Sequence, residues 1–378
     1  MKQDFIKKLR DRESQGNLRR LTTPTKSLVD FVSNDYLGLS RSRTLFDKIN
    51  NYSYEGITHL NGSAGSRLLA GNTSHAETLE RKLAKIFRAE ACLLFNSGYV
   101  ANLALISSLP QRQDTIIYDS LAHVCIKEGA KLSSAKSYSF RHNDPEDLEK
   151  KIKNSQGQVY IVIESVYSMD GDMACFDELL AVAKKHDAQL LVDEAHGTGL
   201  YGEQGNGLVC HLGIEDQFIG RVYTFGKAMG VHGACIAGSQ ELIDYLTNFA
   251  RSFIYTTALP IHSIFAIDAA FDYLGEHIHL QQEIQDKISF FNQYYQETIG
   301  NKDRCYKPES LTPIQPLIVP GNQTVKQLSD TLLQEGFDVR AILSPTVPVG
   351  SERLRICLHQ HNTTTEIRAM VDLLSSHL

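Results

Sequence analysis

From about Ser74 to Phe265, short apolar runs alternate with segments whose apolar residues recur at helical spacing, and this alternation limits the fold more than any other feature of the chain. Cys92–Phe95, Thr115–Tyr118, Val159–Glu164, Leu190–Asp193, Val222–Phe225 and Ala234–Ala237 read as buried strands, each apolar and too short for a stable helix. Ser74-His75-Ala76-Glu77 has the form of a capping box, and Leu79, Leu83, Ile86 and Phe87 then follow at helical spacing. Asp144-Pro145 opens a further helix, with proline in the first turn where its missing N–H costs nothing. Strand and helix at this spacing predict an α/β fold whose largely parallel sheet is covered on both faces. After Pro260 a polar-rich helical stretch runs through Tyr295. Strand Ile314–Val319, helix Val325–Glu335, strand Arg353–Leu358 and helix Thr364–Leu374 then form a smaller α+β unit. The expected organisation is an N-terminal arm over 1–60, a large domain over 61–265, and a connecting helix with a small C-terminal domain over 266–378.

Composition narrows the function classes. Lys+Arg 38 against Asp+Glu 44 leaves a formal charge of 38 − 44 = −6, without the electrostatic footprint of a nucleic-acid or anionic-membrane binder. With 42% hydrophobic residues the chain can bury a full core, yet its longest apolar runs are far too short to span a bilayer. The start, Met1-Lys2-Gln3-Asp4, lacks an apolar h-region, and the seven cysteines include no C-x-x-C pair. A cytoplasmic protein with reduced thiols is expected, with no nucleic acid, no membrane span and no metal.

In open parallel sheets, ligands gather outside the carboxyl ends of the strands. Three such ends are chemically loaded here. Leu190-Leu191-Val192 runs into Asp193, followed by Glu194-Ala195-His196-Gly197. Val222-Tyr223 leads into Thr224-Phe225-Gly226-Lys227, a lysine beside a glycine that lets a flat ligand approach the backbone. Phe95-Asn96-Ser97-Gly98-Tyr99 breaks a strand just before a helix, whose exposed N–H groups form a phosphate seat. A lysine able to form a Schiff base, an aspartate for a pyridinium nitrogen and a phosphate seat together describe binding of pyridoxal 5'-phosphate (PLP). Taken singly, Lys227 reads as a surface lysine, Asp193 as a cap and His196 as a structural histidine. The conjunction carries the inference.

The chain resembles the α-oxoamine synthases, PLP enzymes of the aspartate-aminotransferase fold type I. The matching segments run in order: SNDYLGLS (33–40), GSRLLAGNTSHAETLE (65–80), LFNSGYVAN (94–102), LAHVCIKEGA (121–130), ESVYSMDGD (164–172), DEAHGTGLYGEQGNG (193–207), TFGKAMGVHG (224–233), IYTTALP (254–260) and PTVPVGSERLRI (345–356). The resemblance implies that Lys227 links to the cofactor and, once freed, acts as base at the substrate Cα. It gives Asp193 to the ring nitrogen, His196 to the phenolic oxygen and His123 to the ring face. Gly98, Tyr99, Ser168 and Thr224 line the phosphate and ring, while Thr256 and Thr257 reach the phosphate of a partner subunit in a homodimer with a shared site. Asn34 and Arg355 hold the amino-acid carboxylate, Arg355 through its planar fork, and Thr346 lies on the loop that approaches the substrate. Arg353 shares a strand face with Arg355 by period two, and the motif favours Arg355.

The implied reaction joins an amino acid to an acyl-CoA with loss of carbon dioxide. PTVPVG and the DEAHGTGLYGEQGNG run favour the branch that joins L-alanine to a pimeloyl thioester in biotin biosynthesis. That branch carries an arginine before a proline pair where this chain has Leu343-Ser344-Pro345, so the cation for the distal acyl carboxylate is sought in Arg19, Arg20 or Arg340. Glycine C-acetyltransferase, 5-aminolevulinate synthase and serine palmitoyltransferase are the alternatives within the family, and an aminotransferase outside it. Other motifs fail: Gly220–Ala228 has five residues between its glycines and Ala after the lysine, against a Walker A loop, and 202–207 does not fit a dinucleotide fingerprint. The H-x-H pairs His277–His279 and His359–His361 lack further spaced ligands.

Overall fold

The computed structural model describes residues 2–21, 23, 27–300 and 305–378, with the backbone alone for Lys2 and Gln3. They form two compact units, each discontinuous in sequence. The smaller contains the residues up to Tyr36, Met169–Asp172 and Glu283–Leu378; the larger contains Leu37–Ser168 and Met173–Gln282.

The chain passes through the short strand β1 (Val29–Asp30) of the small unit and then builds the seven-stranded sheet of the large one. Its strands are β2 (Ala91–Phe95), β3 (Thr115–Asp119), β4 (Lys136–Phe140), β5 (Val159–Glu164), β6 (Gln189–Asp193), β7 (Gly220–Thr224) and β8 (Ala234–Gly238), in the order β2-β8-β7-β6-β5-β3-β4. From β4 to β7 every pair is parallel, while β8 runs antiparallel to both β7 and β2. The expected strands are all present. The added one, β4, reads Lys-Ser-Tyr-Ser-Phe and buries only Phe140, the weak pattern of an edge strand.

The helices of the large unit include α1 (Ser74–Ile86), α2 (Gly98–Ser108) and α3 (Val124–Leu132). Thr73 caps α1, its hydroxyl accepting the Ala76 N–H at 3.1 Å, one residue earlier than the expected Ser74 cap. Ala101, Ala104, Leu105 and Ile106 bury α2 among Phe95, Ile126, Leu191, Val222 and Ile236 in the core. Because α2 is apolar almost all round, the polar Asn102 within it is conspicuous. The long stretch after Pro260 is two helices, Ile261–Glu276 and His279–Thr298, parted at His277 and Ile278.

In the small unit, β9 (Ile314–Ile318), β11 (Arg340–Ile342) and β12 (Arg353–Cys357) form an antiparallel sheet in the order β11-β12-β9. The two-residue β10 (Phe337–Asp338) pairs in parallel with β1. Helices Asn322–Gln334 and Thr364–His377 accompany them, the latter opened by a capping box between Thr363 and Glu366. All seven cysteines are free, six of them buried.

Candidate active site

In the large unit, the ends of β5, β6 and β7 carry the chemistry. Register puts Glu164 opposite Asp193, and Asp193 opposite Val222. Asp193 is 4% exposed. One carboxylate oxygen accepts the Asn102 side-chain N–H at 2.7 Å, and the other accepts the Ala195 backbone N–H at 2.9 Å. Asn102 also donates to the Gly98 carbonyl at 3.1 Å, tying the carboxylate to the first turn of α2.

That first turn is built as a seat. Ser97 caps it by accepting the Val100 N–H, leaving the Gly98 and Tyr99 N–H groups without intrahelical partners. A Cβ on Gly98 would sit 2.0 Å from the Thr224 hydroxyl oxygen at the end of β7. That hydroxyl is buried and has no hydrogen-bond partner among the described residues. An orphaned hydroxyl facing a glycine-cleared helix start fits a phosphate group. Ser168 and His196 are buried in the same unit, and Lys227 is half-buried just beyond Thr224.

His123 caps α3, and its backbone N–H donates to Glu164 Oε1. The residue is exposed to solvent. Desolvation, aided by the Lys227 and Lys127 ammonium groups and opposed by Asp193, holds it below the ordinary histidine range. Glu164 is 2% exposed. Burial first, and then the Asp193 charge, push its carboxyl up to about 8. Glu194, fully buried, accepts from Ser165 Oγ and from the Val209 N–H, and a Cβ on Gly197 would overlap it at 1.9 Å. That glycine is required for packing. Thr256 and Thr257 lie on a turn held by Asn96, whose amide donates to Thr257 O at 2.9 Å, and Thr257 is exposed.

The small unit contributes a separate cluster. Arg355 on β12 donates to Asn34 Oδ1 at 3.0 Å, and the Tyr36 hydroxyl donates to the same oxygen at 3.0 Å. Arg353, on the same strand face, is committed to Asp170 and to the Ser351 carbonyl. The structure therefore separates two arginines that period-two spacing leaves equivalent. His359 is fully buried, with ring nitrogens 3.0 Å from Asn362 Oδ1 and 3.0 Å from the Ser33 carbonyl, bracing the turn that leads into Asn34. Donor atoms of Asp30, His359 and His361 come within 4.8 Å of one another, but these hydrogen bonds already occupy the His359 ring. Thr346 is met by Arg19 at 3.5 Å. Arg20 pairs with Glu13 and Arg340 with Asp338.

Asn102 and Glu164 stand beside the expected site residues, and sequence reasoning did not single them out. Each had a signal: a lone polar residue in an apolar helix, and a carboxylate ending an apolar strand as Asp193 does. A cleft of about 450 Å³ beside Arg67, Glu80 and Gln240 contains none of the expected site residues.

This sheet, with its loaded strand ends and smaller companion unit, is the PLP-dependent transferase fold. Residues 26–373 match the family model for aminotransferase class I and II, and the chain belongs to that family. Among its relatives is the 8-amino-7-oxononanoate synthase of Emericella nidulans, 38% identical over 389 residues, covering 98% of this chain and 94% of that protein. The crystal structure of 8-amino-7-oxononanoate synthase from Francisella tularensis superposes with a TM-score of 0.78 at 29% identity, covering 93% of this chain and 97% of that one. A serine palmitoyltransferase from S. paucimobilis with a bound PLP–myriocin ligand gives 0.88 at 24% identity, covering 99% and 96%, and shows the shared fold.

Proposed function

We propose that this chain is a PLP-dependent acyltransferase that condenses L-alanine with pimeloyl-CoA, releasing CoA and carbon dioxide and forming 8-amino-7-oxononanoate. The observation that carries the reading is the strand-end cluster of Lys227, Asp193–Asn102 and the Thr224–Gly98 seat in a relative of 8-amino-7-oxononanoate synthases. When bound, PLP supplies an electron sink for the amino-acid Cα.

The protein's residues do the rest. Lys227 holds the cofactor and moves the proton at Cα. Asp193, fixed from two sides, would accept from the ring nitrogen, and His196 would donate to the phenolic oxygen. The Gly98 and Tyr99 N–H groups, Ser168 and Thr224 would bind the phosphate. His123 would lie on the ring face. Asn34 and Arg355 bind the amino-acid carboxylate, with Tyr36 holding Asn34 in place.

A homodimer completes this site, Thr256 and Thr257 reaching the partner's phosphate. Support for a covered surface comes from Leu60, Leu68, Leu69 and Tyr255, all large apolar side chains left exposed, Leu69 at 85% and Tyr255 at 79%. We place the enzyme in the cytoplasm. Among the described residues no helix is long and apolar enough to cross a membrane.

The distal carboxylate of a pimeloyl chain needs a cation, since burying it unpaired costs several kcal/mol. Arg19 is the candidate of the three, because Arg20 and Arg340 already hold carboxylates. CoA release with alanine, glycine or serine against acetyl-, pimeloyl- and palmitoyl-CoA tests the reading. Alanine with pimeloyl-CoA should be preferred, and Arg19→Met should raise KM for pimeloyl-CoA while sparing an uncharged acyl-CoA of equal length. Preference for an uncharged chain in the wild type would overturn the substrate assignment.

A further inference from the structure

Cys125 has no role in that reading, yet it lies against His123. Three contacts fix His123. Its backbone N–H donates to Glu164, its Nδ1 accepts the Cys125 backbone N–H at 3.3 Å, and the Cys125 sulfur lies 2.9 Å from the same nitrogen. A backbone N–H can only donate, so Nδ1 must present its lone pair. A ring carrying a proton there would set two donors against each other.

The thiol adds a second donor to that lone pair. Cys125 is buried, and desolvation together with the Asp193 and Glu164 charges pushes its ionisation well above the ordinary thiol range. It therefore stays protonated and donates. The charged and titratable groups facing the imidazole are Asp193 on β6, Glu164 on β5, Lys127 on α3, Lys227 beyond β7 and the phenol of Tyr99 on α2, whose ring lies edge-on at 6.4 Å. Burial and the two ammonium groups favour the neutral ring.

We propose that Cys125 is a positioning residue: with Glu164 fixing the backbone, its thiol holds His123 as the neutral tautomer protonated at Nε2. That tautomer leaves one N–H donor, suited to an oxygen that gains negative charge when a thioester carbonyl is attacked. The catalytic use of the donor rests on the reading of His123 as a cofactor-facing residue in the acyl transfer. The tautomer itself does not.

Nitrogen-15 NMR of histidine-labelled protein, with His123→Gln for assignment, reads the tautomer directly in apoprotein and holoenzyme. Nδ1 should be the unprotonated nitrogen in both. In Cys125→Ala the acid limb of the kcat profile should move up by about half to one pH unit, the equivalent of one lost hydrogen bond, and in Cys125→Ser it should return, with KM for the amino acid unchanged. A proton on Nδ1 in the wild type, or an acid limb unmoved in Cys125→Ala, would overturn the proposal. If Cys125→Ala does not fold, Cys125→Val, which also lacks a donor, takes its place in the profile. His123 resonances that ignore added PLP would instead sink the cofactor-site reading while leaving the tautomer standing.

Discussion

The two units bring their polar groups together in opposite ways. In the large unit, Glu164, Asp193 and Thr224 end three neighbouring strands of one sheet, and one amide, Asn102, ties Asp193 to the start of α2. In the small unit, the Asn34–Arg355 contact joins residues 321 positions apart, and a buried brace through His359 and Ser33 holds its turn. The sheet supplies the first arrangement as a by-product of topology. The second depends on the chain's two extremities meeting, which β1–β10 pairing and the Cys357 N–H to Phe31 carbonyl bond secure.

The difference predicts where single substitutions cost most. Arg355→Met removes a buried cation. We expect a loss of about 2–5 kcal/mol in transition-state binding, roughly 30- to 5,000-fold in kcat/KM, borne mainly by KM for the amino acid. Steady-state kinetics with alanine varied checks it, and an unchanged KM would remove Arg355 from the clamp and leave Arg353 to be tested. In the large unit, Asn102→Ala takes one hydrogen bond from Asp193 while the Ala195 N–H still holds the other oxygen. The expected cost is smaller, about 1–3 kcal/mol or roughly 5- to 150-fold in kcat/KM. A larger loss than in Arg355→Met would reverse the comparison.

Glu164→Gln gives the smallest and most specific effect. Folding holds the Glu164 proton up to about pH 8, whereas the unfolded chain releases it near 4.5. Between those values the folded state binds more protons, so wild-type stability should fall as pH rises through the window. The amide does not titrate. Denaturant unfolding of the apoprotein from pH 5 to 8 should therefore show a shallower decline in the variant than in the wild type. Parallel curves would mean that Glu164 is ionised in the fold throughout.

The same contrast explains what the sequence could show. Strand ends with Asp193 and Thr224-Phe225-Gly226-Lys227 were legible because short apolar runs mark strands and their carboxyl ends mark sites. Edge strand β4 was not, since its Lys, Ser and Tyr side chains leave little apolar alternation. The cap at Thr73 was displaced by one residue because Thr73 and Ser74 are both good caps. Which of Arg353 and Arg355 is available could not follow from spacing alone, because Asp170, which engages Arg353, lies 183 residues away. Asn102 was missed for a different reason: it sits at i+4 from Gly98, where a helix makes neighbours of residues that a strand-end search treats as separate.

The central claim is that Lys227 holds the cofactor at this strand-end site. Borohydride reduction of the holoenzyme, followed by proteolysis and mass spectrometry of the peptides, tests it most directly. One phosphopyridoxyl group per chain is expected, on Lys227, and none in Lys227→Ala. A label on Lys127 in place of Lys227, or no label on PLP-saturated wild-type protein, would contradict it.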